Sequence, residues 1–438
     1  MNFIIIGGGA AGMAAASKAK RVNPLIDVTV IEAGPFVSYA ECGMPYYLGG
    51  MFEDYSKLLH YPLTEFTERR KIKVILNESV TEIDTSRQQV KTSGKKVFSY
   101  DYLLISTGAS AVKPKGISGS EVQTIRSLAD GIALKPEVEK SKRITIIGDG
   151  VLGMELASTL AESKKEITMI SHHKTLFKRL DEDVGQELLK EFESKVKVEK
   201  NSELISVSRS NGEFKVETTV GQHTADLVLS ATGIKPNSQL ALDAGLSLGK
   251  NGAIRVDNKM FTSDSKILAA GDCATSLNKV TNSEDWMPLA QISNKMGRVA
   301  GSNVGGERMT FKGGIGTTLV KIFDYEVGFT GIDSVTSAKH GFAPKDIFVK
   351  AGSKAAYYEG NSNAYVKITY DSHSGRLLGA QVVSKSNGAW RLNTLAEAIY
   401  AGITMEDLFY SDLGYSPPFG PVWDPIIIAA SLGMKTSN

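Results

Sequence analysis

Cysteine is nearly absent: Cys42 and Cys273 are the only two in 438 residues. That excludes a disulfide scaffold and any all-cysteine zinc or cluster site, and no metal centre is expected. Charge of one sign is also lacking, with 50 Lys and Arg against 48 Asp and Glu. A dedicated nucleic-acid binder needs a basic excess that this chain does not have. No apolar run is long enough to span a membrane. The N-terminal FIIIGGGAAGMAAA has the texture of a signal-peptide core, yet no Lys or Arg precedes it and its three consecutive glycines weaken a membrane helix. The expectation is a cytoplasmic protein without membrane contact. Low-complexity tracts are missing too, and the length predicts about three domains with a core large enough to need no staples.

Glycine is what the chain has in surplus, 43 residues, and its placement is informative. An apolar run at 3–6 leads into Gly7-x-Gly9-x-x-Gly12, a small-residue stretch from Ala10 to Ala16, and a basic end at Lys18, Lys20 and Arg21. A second apolar run at 28–31 ends in Glu32. This order predicts strand, tight turn, helix and strand. In such a unit the glycines let the backbone approach a pyrophosphate at the helix N-terminus, while the carboxylate accepts from ribose hydroxyls. The first unit therefore suits a dinucleotide with an intact 2′-hydroxyl, FAD or NAD. The bland alternative is a tight turn that holds nothing.

The pattern recurs at 143–147, Gly148-Asp149-Gly150-Val151-Leu152-Gly153 and 167–170, giving two βαβ nucleotide units. Glu155 follows this second turn, but no acid stands where Glu32 stood. Ser171, His172, His173 and Lys174 occupy that place, with Arg179 soon after. A carboxylate there would repel a 2′-phosphate, whereas these groups can donate to it, so NADPH is expected over NADH. Two further apolar runs end alike, at Thr107-Gly108 and Thr232-Gly233. Beyond residue 310 short β-like runs (317–323, 365–370, 377–383) precede a helical stretch at 391–400, which predicts a separate α+β domain.

One more apolar run closes on Gly271-Asp272. Together with the two units and the Thr-Gly ends, it resembles the two-dinucleotide-domain flavoproteins, the pyridine nucleotide–disulfide oxidoreductases, over nearly the whole chain. The resemblance implies an α/β fold with two dinucleotide-binding, Rossmann-like domains and a C-terminal α+β dimerisation domain. Residues 1–110 and 254–308 would bind FAD, 111–253 NAD(P)H, and 309–438 would form a homodimer. FAD would be held by Gly7, Gly9, Ala10, Ala11, Gly12, Glu32, Ala33, Val80, Thr107, Gly108, Gly271, Asp272, Leu289 and Ala290, with Tyr415. Asp272 would bind the ribityl chain, and a helix entered at Pro288-Leu289-Ala290 would face the flavin pyrimidine edge. The nicotinamide cofactor would meet Gly148, Gly150, Val151, Leu152, Gly153, Glu155, Ser171, His172, His173, Lys174 and Gly233.

The segment Ser38-Tyr39-Ala40-Glu41-Cys42-Gly43-Met44-Pro45-Tyr46 narrows the resemblance. Glutathione-type reductases carry two cysteines spaced CxxxxC and a C-terminal His-Glu pair, and this chain has neither. A lone cysteine before Gly-x-Pro-Tyr is similar to the single-cysteine branch: coenzyme A disulfide reductases, NADH oxidases and peroxidases, and polysulfide reductases. Oxidases and peroxidases place a histidine where Ala10 stands, and without that acid/base peroxide reduction loses a proton donor. Tyr357-Tyr358-Glu-Gly-Asn and Tyr415-Ser-Pro-Pro-Phe match the coenzyme A disulfide reductase pattern. There the tyrosines corresponding to Tyr357 and Tyr415 reach across a dimer interface to the partner's cysteine.

The implied reaction is reduction of coenzyme A disulfide by NADPH, through FAD and a mixed disulfide between Cys42 and coenzyme A. Tyr415 and Tyr357 would donate to the departing thiolate, and a helix start at Cys42 would favour the attacking thiolate. Coenzyme A carries phosphates, so Lys18, Arg21 and Arg70 (with neighbouring Lys71) are its expected basic contacts. The motif adds Ser38, Glu41 and Asn294, although a glutamate is ill suited to an anion. Val151 stands where the family usually has an aromatic cover for the flavin, which implies faster stray oxygen reduction. Cys273 reads as packing. The rival readings are a polysulfide or persulfide reductase, whose relatives often append a sulfurtransferase domain that this sequence lacks, an NADH oxidase, and an electron-transfer flavoprotein, against which Cys42 argues.

Overall fold

The computed structural model describes residues 1–115, 117, 119–210 and 212–435. Positions 116, 118 and 211 of the expected NAD(P)H domain, and 436–438 of the expected C-terminal domain, lie outside the described residues.

The N-terminal apolar run forms the strand Asn2–Ile6, central in a five-stranded sheet. Its order is Ile267–Ala269, Tyr102–Ile105, Asn2–Ile6, Asp27–Ile31 and Lys73–Ile75, all parallel. Parallel strands covered on both faces read as unbroken apolar runs, which is why the sequence shows them so clearly. Ile6 lies opposite both Ile31 and Ile105, so the loops after these three strands emerge together at one edge. The second unit repeats this arrangement, with Ile147 of Arg143–Ile147 opposite Ile170 and Ser230. Its parallel order is Lys197–Glu199, Glu166–Ile170, Arg143–Ile147, Leu227–Ser230 and Gln123–Thr124.

After its Thr-Gly, each unit sends out a short strand, Ala109–Ala111 or Ile234–Pro236, and the two pair antiparallel. Thr107 Oγ1 also donates to the Asn237 carbonyl at 2.6 Å. The shared sequence ending is therefore the tie between the units. In the first unit the helix Ala290–Gly305 lies close along Ala10–Val22, because Gly297 and Gly301 face the Ala11 and Ala15 carbonyls where a Cβ would come within 2.1 and 2.2 Å.

The C-terminal sheet is antiparallel, in the order Thr318–Ile322, Tyr325–Gly331, Leu377–Ser384, Asn363–Asp371 and Pro344–Gly352, with the helix Gly388–Ala401 packed against it. The expected runs at 317–323, 365–370 and 377–383 and the helix at 391–400 fall on these elements. Two strands escaped the sequence reading. Tyr325–Gly331 is broken up by Gly328 and Gly331, and Pro344–Gly352 is an edge strand that begins with proline and carries charge.

Packing crosses the expected division: Met44, Tyr47, Leu48 and Leu58 join the core of the second unit. Leu240, Ala241, Ala244, Leu246 and Leu248 join the core of the first sheet, although they precede the expected boundary at 253/254. Their apolar spacing names a buried face without saying whose core it enters. Among the described residues, no helix is long and apolar enough to cross a membrane.

Candidate functional site

The two glycine turns are built alike. Gly7 and Gly148 have φ of +98° and +105°, and a Cβ on either would lie 2.3 or 2.6 Å from the carbonyl oxygen of Ser106 or Ala231. Only glycine satisfies both demands. By contrast, a Cβ at Gly9 or Gly150 would meet nothing within 4 Å among the described residues. The helices Ala10–Val22 and Val151–Glu162 that start there have no side-chain cap. Uncapped N–H groups beside open space suit a pyrophosphate, so both turns fit the dinucleotides that the sequence implies. Glu32 accepts from the N–H groups of Gly8 and Gly34 at 2.6 and 2.7 Å, which fixes its carboxylate at the strand end. Ala33 follows it, and Val80 opens the strand Val80–Asp84 and packs on the first core.

A cavity of about 570 Å³ runs from Gly9, Ala10 and Ala11 past Gly108, Gly271 and Asp272 to Ser38, Glu41 and Cys42. The helix Ala290–Gly305, entered from Leu289, opens onto it through Ala290, Ser293 and Asn294. Ser293 Oγ donates to Asp272 Oδ1 at 2.8 Å. Further out, Lys18, Arg21 and Arg70 line the same cavity. A second cavity of about 510 Å³ shares Ser17, Arg21, Tyr61 and Arg70 with the first and adds Lys20, Arg69 and Lys71. The mouth is therefore basic, and Glu65 is the acid in its lining. Arg70 bonds Ser17 at 2.7 Å, pairs with Glu65 at 2.9 Å and sits 4.9 Å from the ring centres of both Tyr61 and Phe66. Lys18 shares its charge with Glu307 at 2.8 Å.

Cys42 lies in a 3-10 turn, Glu41–Gly43, directly ahead of the short helix Met44–Leu48, and is exposed. The sequence expectation that this helix start favours a thiolate meets an opposing field. Burial of the surroundings, then Glu41 and Glu155, push the thiol above its ordinary value, while Arg126 pulls it down.

Sequence reasoning missed Arg126. It pairs with Glu41 at 2.9 Å and with Asp272 at 2.8 Å, and it donates to the Ala109 carbonyl at 2.8 Å. Arg126 therefore offsets part of the Glu41 charge, which weakens the objection to a glutamate beside an anionic substrate, while sharing itself with Asp272. The residue follows a two-residue strand, Gln123–Thr124, too short to show a period. Tyr46 was missed as well. Four residues after Cys42, its hydroxyl donates at 2.7 Å to Glu155 of the second turn's helix. Burial raises the Glu155 carboxyl, and the cysteine helix packs in the core of the second unit.

Beside the second turn, Ser171 is fully buried and its hydroxyl accepts from the His173 N–H at 3.1 Å. His173 Nδ1 lies 3.2 Å from Asp149, which also accepts from the Phe177 N–H at 3.0 Å. Arg179 stacks 4.7 Å over Phe329. His172, Lys174 and Arg179 are the exposed members of the expected group. Asp149 is a buried carboxylate in their midst, visible in the sequence inside the turn and not weighed there. Val151 and Leu152 begin the helix, Gly153 packs against Gly148, and Gly233 has φ of +114°. Tyr357 and Tyr415 are exposed, share a hydrogen bond that raises the Tyr357 phenol, and do not line the cavity of their own chain. Cys273 is buried in the first core, as expected.

The pyridine nucleotide-disulphide oxidoreductase family matches residues 1–297, and the family's dimerisation domain matches 317–425. An NAD(P)H coenzyme A polysulfide/persulfide reductase of Pyrococcus horikoshii is 40% identical over 98% of this chain and 97% of its own. A coenzyme A disulfide reductase of Staphylococcus haemolyticus is 28% identical over 95% and 96%. The solved NAD-dependent persulfide reductase from A. fulgidus has a TM-score of 0.94 at 34% identity, covering 99% of this chain and 83% of that one. With its paired nucleotide units, lone exposed cysteine and antiparallel C-terminal sheet, the chain belongs to the pyridine nucleotide-disulphide oxidoreductases and is an NAD(P)H-dependent oxidoreductase.

Proposed function

We propose that this chain reduces coenzyme A disulfide to two coenzyme A thiols with NADPH, through a mixed disulfide on Cys42. FAD, when bound, supplies the electronic path between nicotinamide and sulfur. The residues present fit that role: Gly7, Gly9 and Gly12 with Glu32 would hold the dinucleotide, with Asp272 and the start of Ala290–Gly305 in the same cavity available to its flavin end. Gly148, Gly150, Gly153 and Glu155 receive the nicotinamide cofactor, with His172 and Lys174 open to a 2′-phosphate. Residues 1–110 with 254–308, 111–253 and 309–438 divide the work as FAD, NAD(P)H and homodimerisation domains. A higher kcat/KM with NADPH than with NADH is expected, and the reverse order would remove His172 and Lys174 from cofactor choice.

In the sulfur chemistry, the Cys42 thiolate attacks one sulfur of coenzyme A disulfide. The S–S bond breaks, one coenzyme A leaves as thiolate, and Tyr415 or Tyr357 of the partner subunit donates its proton. The other coenzyme A remains on Cys42. Two electrons from NADPH, with one proton, then cleave the mixed disulfide, freeing the second thiol and restoring the Cys42 thiolate. Arg21 and Arg70 at the mouth bind phosphates, and Arg126 offsets Glu41 so that an anion can approach.

The observation that carries this reading is the lone exposed cysteine in a cavity continuous with a basic mouth. A second reading uses the same residues on a coenzyme A persulfide or polysulfide, and the names of the 40% and 34% identical relatives favour it. NADPH consumption measured side by side with coenzyme A disulfide, coenzyme A persulfide, polysulfide, oxygen and peroxide separates them. Fastest turnover of the disulfide is expected. Turnover of persulfide or polysulfide alone moves the assignment to the second reading, and turnover of oxygen or peroxide alone removes both.

A further inference from the structure

Two irregular segments carry the tyrosines. The Tyr357 segment leaves the edge strand Pro344–Gly352, and the Tyr415 segment leads to the helix Pro425–Lys435. Both tyrosines are exposed, at 78% and 50%, so their own contacts do little to fix the segments. The bases of the two segments meet on a buried charge. Arg391, in the first turn of Gly388–Ala401, has 0% exposure. Its Nη2 donates to Asp424 at 2.7 Å and to the Ser353 carbonyl at 2.9 Å, its Nε to the same carboxylate at 3.0 Å, and its Nη1 to the Asn387 carbonyl at 3.1 Å. Around it, Asn387 Nδ2 donates to the Pro418 carbonyl at 3.2 Å and the Ala355 N–H to the Pro417 carbonyl at 3.1 Å.

A buried ion pair is seldom needed for stability, because a well-packed apolar pair of similar volume serves as well or better. A planar guanidinium fork does what an apolar side chain cannot, holding a carboxylate and two carbonyls from separate segments in one fixed geometry. We propose that Arg391 and Asp424 are positioning residues, which hold Tyr357 and Tyr415 together so that the pair can donate to the thiolate leaving Cys42 of the partner subunit. The proposal rests on the mixed-disulfide reading above.

Arg391→Lys keeps the charge against Asp424 and loses the fork. In the FAD-loaded dimer it should lower kcat for coenzyme A disulfide at least about tenfold, with KM, flavin content and NADPH-driven reduction of a small dye unchanged. In a Tyr357→Phe/Tyr415→Phe background the same change should cost nothing further. Equal losses in both backgrounds, or a loss that extends to dye reduction, would overturn the positioning role. If the tyrosine pair matters and Arg391→Lys turns over at the wild-type rate, only this proposal fails. If the tyrosine variant itself is fully active, the reading beneath it fails. Should Arg391→Lys not fold, Asp424→Asn, which keeps the shape and removes the charge, is held to the same outcomes.

Discussion

Glu41 and Glu155 oppose a thiolate at Cys42, burial adds to them, and Arg126 works the other way. Negative neighbours and burial both favour the protonated thiol, so labelling of reduced Cys42 by iodoacetamide should still be accelerating above pH 9. A plateau below pH 8 would contradict the geometry. Arg126→Met removes the favourable charge and should slow labelling at pH 8. Glu155→Gln should accelerate it, and quantitative mass spectrometry of the labelled peptide reads both. Cys42 and the glycines were legible in the sequence because each acts within a few residues of itself. Arg126 was not, since its partners Glu41 and Asp272 are far from it along the chain and meet it only through the fold.

At the scale of elements, the two glycine turns make a paired prediction. Gly153 packs against its own turn, where a Cβ would come within 2.0 Å of the Gly148 carbonyl. Gly153→Ala should therefore lower the melting temperature, with a cost of about 1–3 kcal/mol from overpacking. Gly150 faces open space, so Gly150→Ala should fold with an unchanged melting temperature and raise the KM for NADPH, because the added methyl stands where the pyrophosphate approaches. Equal effects of both changes on KM and melting would show that the turns serve packing alone. Strand, turn and helix were readable here because parallel strands and glycine turns leave a local imprint. The glycine-broken strand Tyr325–Gly331 and the proline-led edge strand Pro344–Gly352 left none. The bond from Tyr46 to Glu155 was out of reach because it joins two helices whose packing no local period reveals.

For the whole molecule, the internal repeat announced two nucleotide units. It was silent on the segment around 239–248, which packs into the first core across the expected boundary. Nor could it show that Cys42 and the tyrosines of one chain stand apart, the tyrosines exposed and outside the cavity. A site completed by two subunits should be rescued by mixing. Dimers assembled from Cys42→Ser chains and Tyr357→Phe/Tyr415→Phe chains contain one site with both parts intact. Mixed dimers should regain about half the wild-type rate per dimer, while each parent stays low. No gain on mixing would place the tyrosines and the cysteine of one site in the same chain.

The most direct measurement is the intact mass of the reduced, FAD-loaded enzyme after exposure to coenzyme A disulfide without NADPH. One coenzyme A should be found on Cys42, released on addition of NADPH and absent from Cys42→Ser, which should keep its flavin and lose disulfide turnover. An unmodified Cys42, or a Cys42→Ser enzyme that turns over at the wild-type rate, would contradict the account.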